Sequence, residues 1–371
     1  MNPNGLGAQL AALVLCVVVA LDTALVWHRV RRWWGTLVRS VAVLLCASTA
    51  LAAAGIWVNR EMNLFTQWSE VGGRPPAAPA PGALKVDRVS ATGSRIVTFT
   101  IAGTRSGIRL PAKAYLPPGY DSPQGRRTRY PVIEALTGFP GTPNSWLAGL
   151  DAQNVLDREL AAGRIAPTVV VFPFQTYQAS RDSECVDAVG GAQFDTYLSV
   201  DVRAAVTSQF RVRADRTGWV VAGTSTGGFC ATNLALRHPG LYAAAASLSG
   251  YFTAITDGTT GDLYRGDEHL RDENSPLWRV QHLPLPDLGL FLCAAADDQP
   301  GYRHMQELTK VLKPPVHLTR MVVPVGGHTL TVWRTALPVV LDWLSGWLGA
   351  PSTTPPDPIG SGPVRQGLSA I

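Results

Sequence analysis

A serine between closely spaced glycines lies at the centre of residues 223–228, which are Gly-Thr-Ser-Thr-Gly-Gly. The pattern G-x-S-x-G places a nucleophilic serine on a sharp turn between a strand and a helix, and small residues on each side let the backbone segments pass closely. The apolar run 218–222 and the helix-like run 229–238 supply that context. Ser225 is therefore the predicted nucleophile, and an ordinary helix N-cap is the alternative.

A serine nucleophile needs a base that accepts its proton and a carboxylate that orients the base. Of the seven histidines, His328 follows two glycines just after the last predicted strand, where a loop can bring it over Ser225. The acid is expected after a strand that lies between the serine and the histidine in the chain. The apolar run 288–294 leads to Asp297 and Asp298. One of this pair is the predicted acid, Asp298 being preferred, and the other is expected to cap the following turn or helix.

Acyl transfer also requires hydrogen-bond donors for the oxyanion that develops on the attacked carbonyl. The backbone amide of Thr226, next to the serine, is the first predicted donor. The second is expected from residues 137–141, Thr-Gly-Phe-Pro-Gly, which follow the apolar run 130–136. Phe139 is the predicted donor in this loop, because Pro140 has no N–H group.

Five ordered motifs carry a resemblance to a known family. They are TGFPG (137–141), ECVDAVGG…DTYLSVDV (184–202), GTSTGGFCATNLALRHP (223–239), SLSGYF (247–252) and GGHTLTVW (326–333). Together they resemble the putative-esterase family of α/β-hydrolases, which includes S-formylglutathione hydrolases, feruloyl esterases and the mycolyltransferases of mycobacterial cell walls. The resemblance covers about residues 88–348.

The resemblance implies that Ser225, Asp298 and His328 form a catalytic triad, with Phe139 and Thr226 at the oxyanion hole. Family members often have histidine or aspartate where this chain has Thr137, and methionine where it has Thr226. In the mycolyltransferases the acid is a glutamate at a different place. Both threonines belong to the floor of the site, so the substrate of one member does not transfer to this chain.

The remainder of the domain alternates between strand-like and helix-like segments. Short apolar runs bounded by turns are typical of parallel strands that are buried on both faces. The sequence therefore predicts an α/β-hydrolase fold, a mostly parallel, doubly wound sheet with helices on both faces. The predicted strands are 95–101, 109–116, 130–136, 168–174, 218–223, 243–250, 288–294 and 317–324. The predicted helices are near 144–163, 193–209, 226–238, 302–312 and 331–348.

Two apolar stretches, about 8–27 and 40–59, are long enough to cross a bilayer as helices. The loop between them carries four arginines and two tryptophans, which indicates the cytoplasmic side. The sequence therefore predicts two transmembrane helices and an extracytoplasmic main domain. In the alternative, the second stretch is a signal peptide cleaved near residues 50–52. Both readings place the main domain outside.

Composition divides the rest of the chain and excludes one class of partner. A Pro/Ala-rich linker is predicted over 61–84, the enzyme domain over 85–348, and a disordered Pro/Gly-rich tail over 349–371. Beyond residue 60 the chain has 27 basic and 26 acidic residues. A nucleic-acid-binding domain would show a basic excess, so nucleic acid is excluded as a partner.

Cysteines and possible cofactors complete the inventory. Two of the five cysteines lie in the apolar stretches, and in an oxidising compartment the others can form disulfides. We hypothesise a Cys185–Cys230 bridge, and small buried thiols are the alternative. Since no residues show zinc-like spacing and no phosphate-binding or dinucleotide-binding glycine loop is present, neither a metal nor a cofactor is expected.

These observations predict a membrane-anchored extracytoplasmic serine esterase that acts on carboxylic esters through an acyl-enzyme. One alternative is a mycolyltransferase-like acyltransferase that moves acyl chains to envelope sugars or lipids. A second is an inactive hydrolase-fold binding module. The location suggests lipid, envelope or glycan-linked esters as substrates.

Overall fold

The computed structural model describes residues 2–27, 29, 34–62, 65, 68–71, 75, 79–178 and 180–353. Five residues of the predicted interhelical loop (28 and 30–33), part of the predicted linker and the predicted tail beyond residue 353 lie outside the described residues. The first residues assigned to the tail lie against the domain, because Ser352 and Arg129 exchange two backbone hydrogen bonds of 2.7 and 3.0 Å.

Two long apolar helices, α1 (Leu6–Trp27) and α2 (Gly35–Met62), open the chain. At a rise of about 1.5 Å per residue each is long enough to cross a hydrocarbon core of about 30 Å. They pack against each other, and the hydroxyl of Thr23 lies 3.2 Å from the Cys46 sulfur. Most of their large apolar side chains are exposed, so their apolar surface is not covered by the domain.

A nine-stranded sheet forms the centre of the domain, in the order β1-β2-β3-β5-β4-β6-β7-β8-β9. The first three strands and β5 pair antiparallel, and the six strands from β5 to β9 in that order are parallel. The strands are β1 (Lys85–Val89), β2 (Arg95–Ala102), β3 (Arg109–Leu116), β4 (Val132–Leu136), β5 (Val169–Pro173), β6 (Trp219–Thr224), β7 (Ala244–Leu248), β8 (Leu288–Ala295) and β9 (Val316–Val323).

Helices cover both faces of this sheet. They are α4 (Ala152–Ala161), α5 (Phe194–Thr196), α6 (Arg203–Gln209), α7 (Thr226–Arg237), α8 (Glu268–Glu273), α9 (Pro276–His282), α10 (Gln299–Val311) and α11 (Leu330–Trp347). The short helix α3 (Trp68–Val71) precedes the first strand in the chain. π-helical segments Ser145–Gly149 and Tyr197–Val202 lie before α4 and between α5 and α6. One apolar core lies on each face of the sheet.

Burial follows the position of each strand in the sheet. All residues of the central strands β4 to β8 are buried, because helices cover both of their faces. The edge strand β1 is fully exposed and was not predicted, nor were the short helices α8 and α9. The predicted α/β-hydrolase architecture is confirmed, and the eight predicted strands occur within two or three residues of their predicted ends.

The parallel strands all end at one edge of the sheet, which is where α/β proteins place their sites. The loops that follow β4, β6, β8 and β9 at this edge carry Phe139, Ser225, Asp298 and His328.

Candidate active site

The nucleophile turn joins β6 directly to α7. Ser225 has φ 54° and ψ −122°, a conformation that residues with side chains seldom adopt outside functional sites. Two hydrogen bonds fix this turn: the Ser225 amide donates to the Leu248 carbonyl at 2.8 Å, and the Ser225 carbonyl accepts from the Gly228 amide at 2.8 Å. The strained residue is thus held between the neighbouring strand β7 and the first turn of α7.

Close backbone approach explains the glycines two positions from the serine. A Cβ atom added to Gly223 would lie 2.0 Å from the carbonyl oxygen of Gly227. One added to Gly227 would lie 2.4 Å from the carbonyl oxygen of Leu136 at the end of β4. Because side chains at these positions would overlap backbone atoms, the sharp turn requires glycine at both.

Two hydrogen-bond distances connect serine, histidine and acid. The Ser225 Oγ atom lies 2.9 Å from Nε2 of His328, and Nδ1 of His328 lies 2.9 Å from Oδ2 of Asp298. Asp298 is buried, whereas the imidazole is about one-third exposed. The structure therefore brings together the three residues singled out from the sequence in the order that a hydrolytic triad requires.

The two adjacent aspartates after β8 make different contacts. Asp298 contacts the imidazole and also begins α10, since its Oδ1 accepts a hydrogen bond from the Gly301 amide. Asp297 accepts hydrogen bonds from the amides of Gly326 and Gly327, at 3.0 and 2.8 Å, and these bonds lower the pKa of its carboxyl. The cap predicted for the second aspartate is therefore made by Asp298 itself, and Asp297 holds the loop that carries His328.

A tryptophan supports the histidine from α11. The indole of Trp333 meets the imidazole of His328 edge to face, with ring centroids 5.2 Å apart. Its Nε1–H donates a 3.0 Å hydrogen bond to the Ser249 hydroxyl. The hydrogen bond fixes the indole, and the edge-to-face packing of the indole then restricts rotation of the His328 ring about its side-chain bonds.

The two predicted oxyanion donors lie on opposite sides of the serine. Thr226 is the first residue of α7, and the first amides of a helix have no acceptor within the helix. Across the site, Gly138 and Gly141 close a tight turn with a 2.7 Å hydrogen bond, and Phe139 lies within it. The Gly138 amide already donates to the Thr224 hydroxyl at 3.2 Å, so Phe139 stays the candidate donor of this loop.

Two cavities of different size lie at this edge. The first, of about 30 Å³, adjoins Ser225 and His328 and has an aromatic wall formed by Phe139, Trp146 and Trp333. The second, of about 270 Å³, is lined by both polar and apolar side chains. It is lined by Thr176, Tyr177, Gln178, Arg181, Asp182, Ser183, Val186, Ala188, Ala192, Phe194, Thr260 and Leu263.

A disulfide joins Cys185 and Cys230, the two cysteines paired in the sequence-based hypothesis, with a Cα–Cα distance of 5.6 Å. It links the loop after β5 to the nucleophile helix α7. Cys293 is a free buried thiol in β8.

Comparison with known proteins identifies the family. The family model described as "Putative esterase" matches residues 104–344, about two thirds of the chain. The chain belongs to the putative-esterase family. The family expected from the sequence is thereby confirmed.

Relatives with similar sequences include an uncharacterized protein of Corynebacterium glutamicum. It is 28% identical over 245 residues, which cover 63% of this chain and 56% of that protein. An endo-1,4-beta-xylanase/feruloyl esterase of Xylanibacter ruminicola is 29% identical over 166 residues, covering 44% of this chain and 21% of that protein. The chain thus spans about half the length of the first curated relative and about a fifth of the second.

Solved structures agree with the fold. A ferulic acid esterase superposes with a TM-score of 0.58 at 23% identity, over 69% of this chain and 99% of its own. An S-formylglutathione hydrolase from Agrobacterium tumefaciens superposes with a TM-score of 0.60 at 16% identity, over 71% and 100%. The α/β-hydrolase fold expected from the sequence is therefore shared with these enzymes.

Two buried carboxyl groups near α7 were not predicted from the sequence. Asp182 accepts a 3.1 Å hydrogen bond from the Thr226 hydroxyl, and burial raises its pKa to about 6. Glu184 accepts from the Tyr251 hydroxyl at 2.9 Å, and burial raises its pKa to about 8. Glu184 lies in a quoted family motif, but no spacing in the sequence indicated that either acid would lie beside the serine turn.

Proposed function

We propose that this chain is a membrane-anchored serine esterase with its enzyme domain on the extracytoplasmic side. The hydrogen-bonded series Ser225–His328–Asp298 on a strained strand-to-helix turn is the observation that carries the catalytic part of the proposal. Family membership independently supports ester substrates.

The mechanism follows from these contacts. Ser225 Oγ attacks the ester carbonyl while its proton passes to Nε2 of His328, and the buried Asp298 carboxylate stabilises the imidazolium. The amides of Thr226 and Phe139 donate to the oxyanion, and the α7 N-terminus adds a favourable dipole. The ester C–O bond then breaks, and the leaving alcohol takes the proton from His328. Water next attacks the acyl-enzyme with His328 as base, releasing the acid and restoring the serine.

The test of the catalytic proposal uses full-length protein in detergent and a fluorophosphonate probe. In that reaction the Oγ–P bond forms as the P–F bond breaks and fluoride leaves. We expect labelling and hydrolysis of p-nitrophenyl esters by the wild type, and neither by the Ser225→Ala variant. Ser208→Ala, an exposed serine on α6, is the matched control and should behave as wild type. A folded wild type that neither labels nor turns over would contradict the proposal and favour a binding module.

Substrate choice is tested with esters that differ in acyl group. The aromatic wall of the smaller cavity favours aryl or short acyl groups beside the serine. A relative named as a feruloyl esterase makes methyl ferulate a suitable first substrate. Adding a sugar or long-chain alcohol as acceptor separates hydrolysis from acyl transfer, since transfer yields a new ester and hydrolysis yields free acid.

The location is supported by α1 and α2, which have the length and composition of membrane spans, and by the arginines between them. A membrane-impermeant fluorophosphonate added to spheroplasts of an expressing bacterium tests it. We expect labelling before lysis that equals labelling after lysis and that disappears in Ser225→Ala. Labelling only after lysis would place the domain in the cytoplasm and refute this part of the proposal.

A further inference from the structure

The chain segment that follows β5, described at residues 175–178 and 180–185, contacts two residues near the nucleophile, Thr137 and Thr226. At its start, the side-chain oxygen of Gln175 accepts hydrogen bonds from the amide of Thr137 and, at 3.1 Å, from the Thr137 hydroxyl. Near its end, Asp182 accepts the bond from the Thr226 hydroxyl. One side chain of this segment thus holds the residue two positions before Phe139, and another holds the residue after Ser225.

The same segment is fastened to the nucleophile helix. Cys185 is bonded to Cys230 on α7. The side-chain nitrogen Nε2 of Gln175 lies 3.3 Å from the sulfur of Cys185 and 3.7 Å from the sulfur of Cys230. The Ser183 hydroxyl donates to the Gln175 carbonyl, which draws the two ends of the segment together. The disulfide, Gln175 and the loop at Thr137 therefore form one continuous set of contacts.

Burial makes these contacts unusual. Gln175 and Asp182 are 8% and 7% exposed, and a polar side chain in such a place costs free energy unless its groups are hydrogen-bonded. Both Asp182 oxygens are used, since Oδ1 accepts from the Glu184 amide at 2.9 Å. The partners of these two side chains are Thr226, itself a proposed oxyanion donor, Thr137 two positions before Phe139, the segment's own backbone and the disulfide.

We propose that Gln175 and Asp182 are positioning residues for the oxyanion hole, and that the Cys185–Cys230 disulfide holds the segment carrying them against α7. The inference rests on the proposed serine-esterase function. Gln175 sets the course of the chain into Phe139, and Asp182 sets the orientation of Thr226. Catalysis then depends on a segment that includes no member of the triad.

The test measures kcat and KM on full-length protein, with active enzyme counted by fluorophosphonate titration. Gln175→Met keeps the side-chain volume and removes both hydrogen-bonding functions. Since misplacing a catalytic group by about 1 Å can cost roughly 100-fold in rate, we expect kcat to fall between 10- and 100-fold with KM changed less than threefold. Gln281→Ala, an exposed glutamine on α9, is the control and should match wild type.

A pair of substitutions at Asp182 separates positioning from simple structural support. Asp182→Ala removes the contact with Thr226 and should reduce kcat in the same way. Asp182→Asn can accept from the Glu184 amide with its oxygen and donate to the Thr226 hydroxyl with its nitrogen, so it should rescue most of the rate. The Cys185→Ser/Cys230→Ser variant should show the same fall in kcat per labelled site.

Three results would overturn the inference alone, each in a wild type that labels and turns over. The first is a kcat within twofold of wild type for both Gln175→Met and Asp182→Ala. The second is an Asp182→Asn variant that is as impaired as Asp182→Ala. The third is a loss of activity that disappears once activity is divided by the number of labelled sites. A wild type without labelling or turnover would instead refute the proposed function, and the inference with it.

Discussion

The Asp297 carboxylate accepts a 2.8 Å hydrogen bond from the backbone amide of Gly327, the residue immediately before the catalytic-site histidine. Its neighbour Asp298 contacts the imidazole of that histidine. Two consecutive carboxylates at the end of β8 therefore hold the same loop, one by its backbone and one by its side chain. Two adjacent residues, Asp297 and Asp298, therefore set the position and the tautomer of His328.

This division predicts unequal effects of two adjacent substitutions. Asp298→Asn should lower kcat by about 10⁴, as expected when the group that orients a triad histidine loses its charge. Asp297→Asn should lower kcat by roughly 10- to 100-fold, because the loop shifts while the imidazole keeps its acid. Steady-state kinetics of both variants beside Asp342→Asn, an exposed aspartate on α11, measures the difference. Equal losses at 297 and 298 would contradict the separate tasks.

The indole of Trp333 provides a second prediction. Trp333→Phe keeps a ring against His328 and loses only the hydrogen bond to Ser249, so kcat should fall by less than about tenfold; a net neutral hydrogen bond contributes only ~1 kcal/mol. Trp333→Ala removes the packing that limits rotation of the imidazole, and kcat should fall further, by roughly 100-fold. Kinetics and the rate of fluorophosphonate labelling measure both. An alanine variant as active as the phenylalanine variant would show that the packing is unimportant.

Local patterns were sufficient to predict eight of the nine described strands and to single out Ser225 and His328, which the structure places within hydrogen-bond distance of each other. The strands β4 to β8 are continuous apolar runs because the sheet is covered on both faces, and that burial is visible in the sequence. Ser225 was predicted because a sharp strand-to-helix turn needs glycines on each side of the serine for steric reasons. The close approach of Gly223 to the Gly227 carbonyl in the structure agrees with that reason. β1 was missed because an exposed edge strand carries no such apolar run.

Contacts between distant segments were beyond the reach of those patterns. Gln175 and Thr137 are 38 residues apart, and Asp182 and Thr226 are 44 apart, so no periodicity relates them. The choice between Asp297 and Asp298 depended on which way the chain turns at the end of β8. If the strand ended one residue earlier or later, the two aspartates would exchange places, and the other one would face the imidazole of His328.

The glycines of the nucleophile turn predict a stability effect with a built-in control. Gly227→Ala would place a Cβ 2.4 Å from one carbonyl oxygen and 2.6 Å from the next, at Leu136 and Thr137. Such overpacking typically costs about 1–3 kcal/mol, so the thermal midpoint should fall and activity should be lost. Gly240→Ala, where no atom lies within 4 Å of the added Cβ, should leave both unchanged. A Gly227→Ala variant with the thermal midpoint and activity of wild type would show that the backbone of the turn can move to make room for the added Cβ.

The buried carboxyl of Glu184 predicts how stability depends on pH. Its pKa is about 8 in the folded protein, chiefly through burial, against an ordinary value of 4.5. A raised folded pKa stabilises the folded state fully below pH 4.5, and this contribution is lost as the pH rises through about 8. Glu184→Gln keeps an oxygen for Tyr251 and Ile255 and cannot ionise.

The thermal midpoint of full-length wild type should therefore fall between pH 5 and pH 8, relative to Glu184→Gln measured under the same conditions. Glu268→Gln, at an exposed position on α8, serves as the matched control and should follow the wild type across this range. Calorimetry or intrinsic tryptophan fluorescence in detergent provides the midpoints. If the thermal midpoints of wild type and Glu184→Gln change with pH in the same way, Glu184 has the same pKa in the folded and unfolded chain. That result would contradict the prediction that burial raises its pKa.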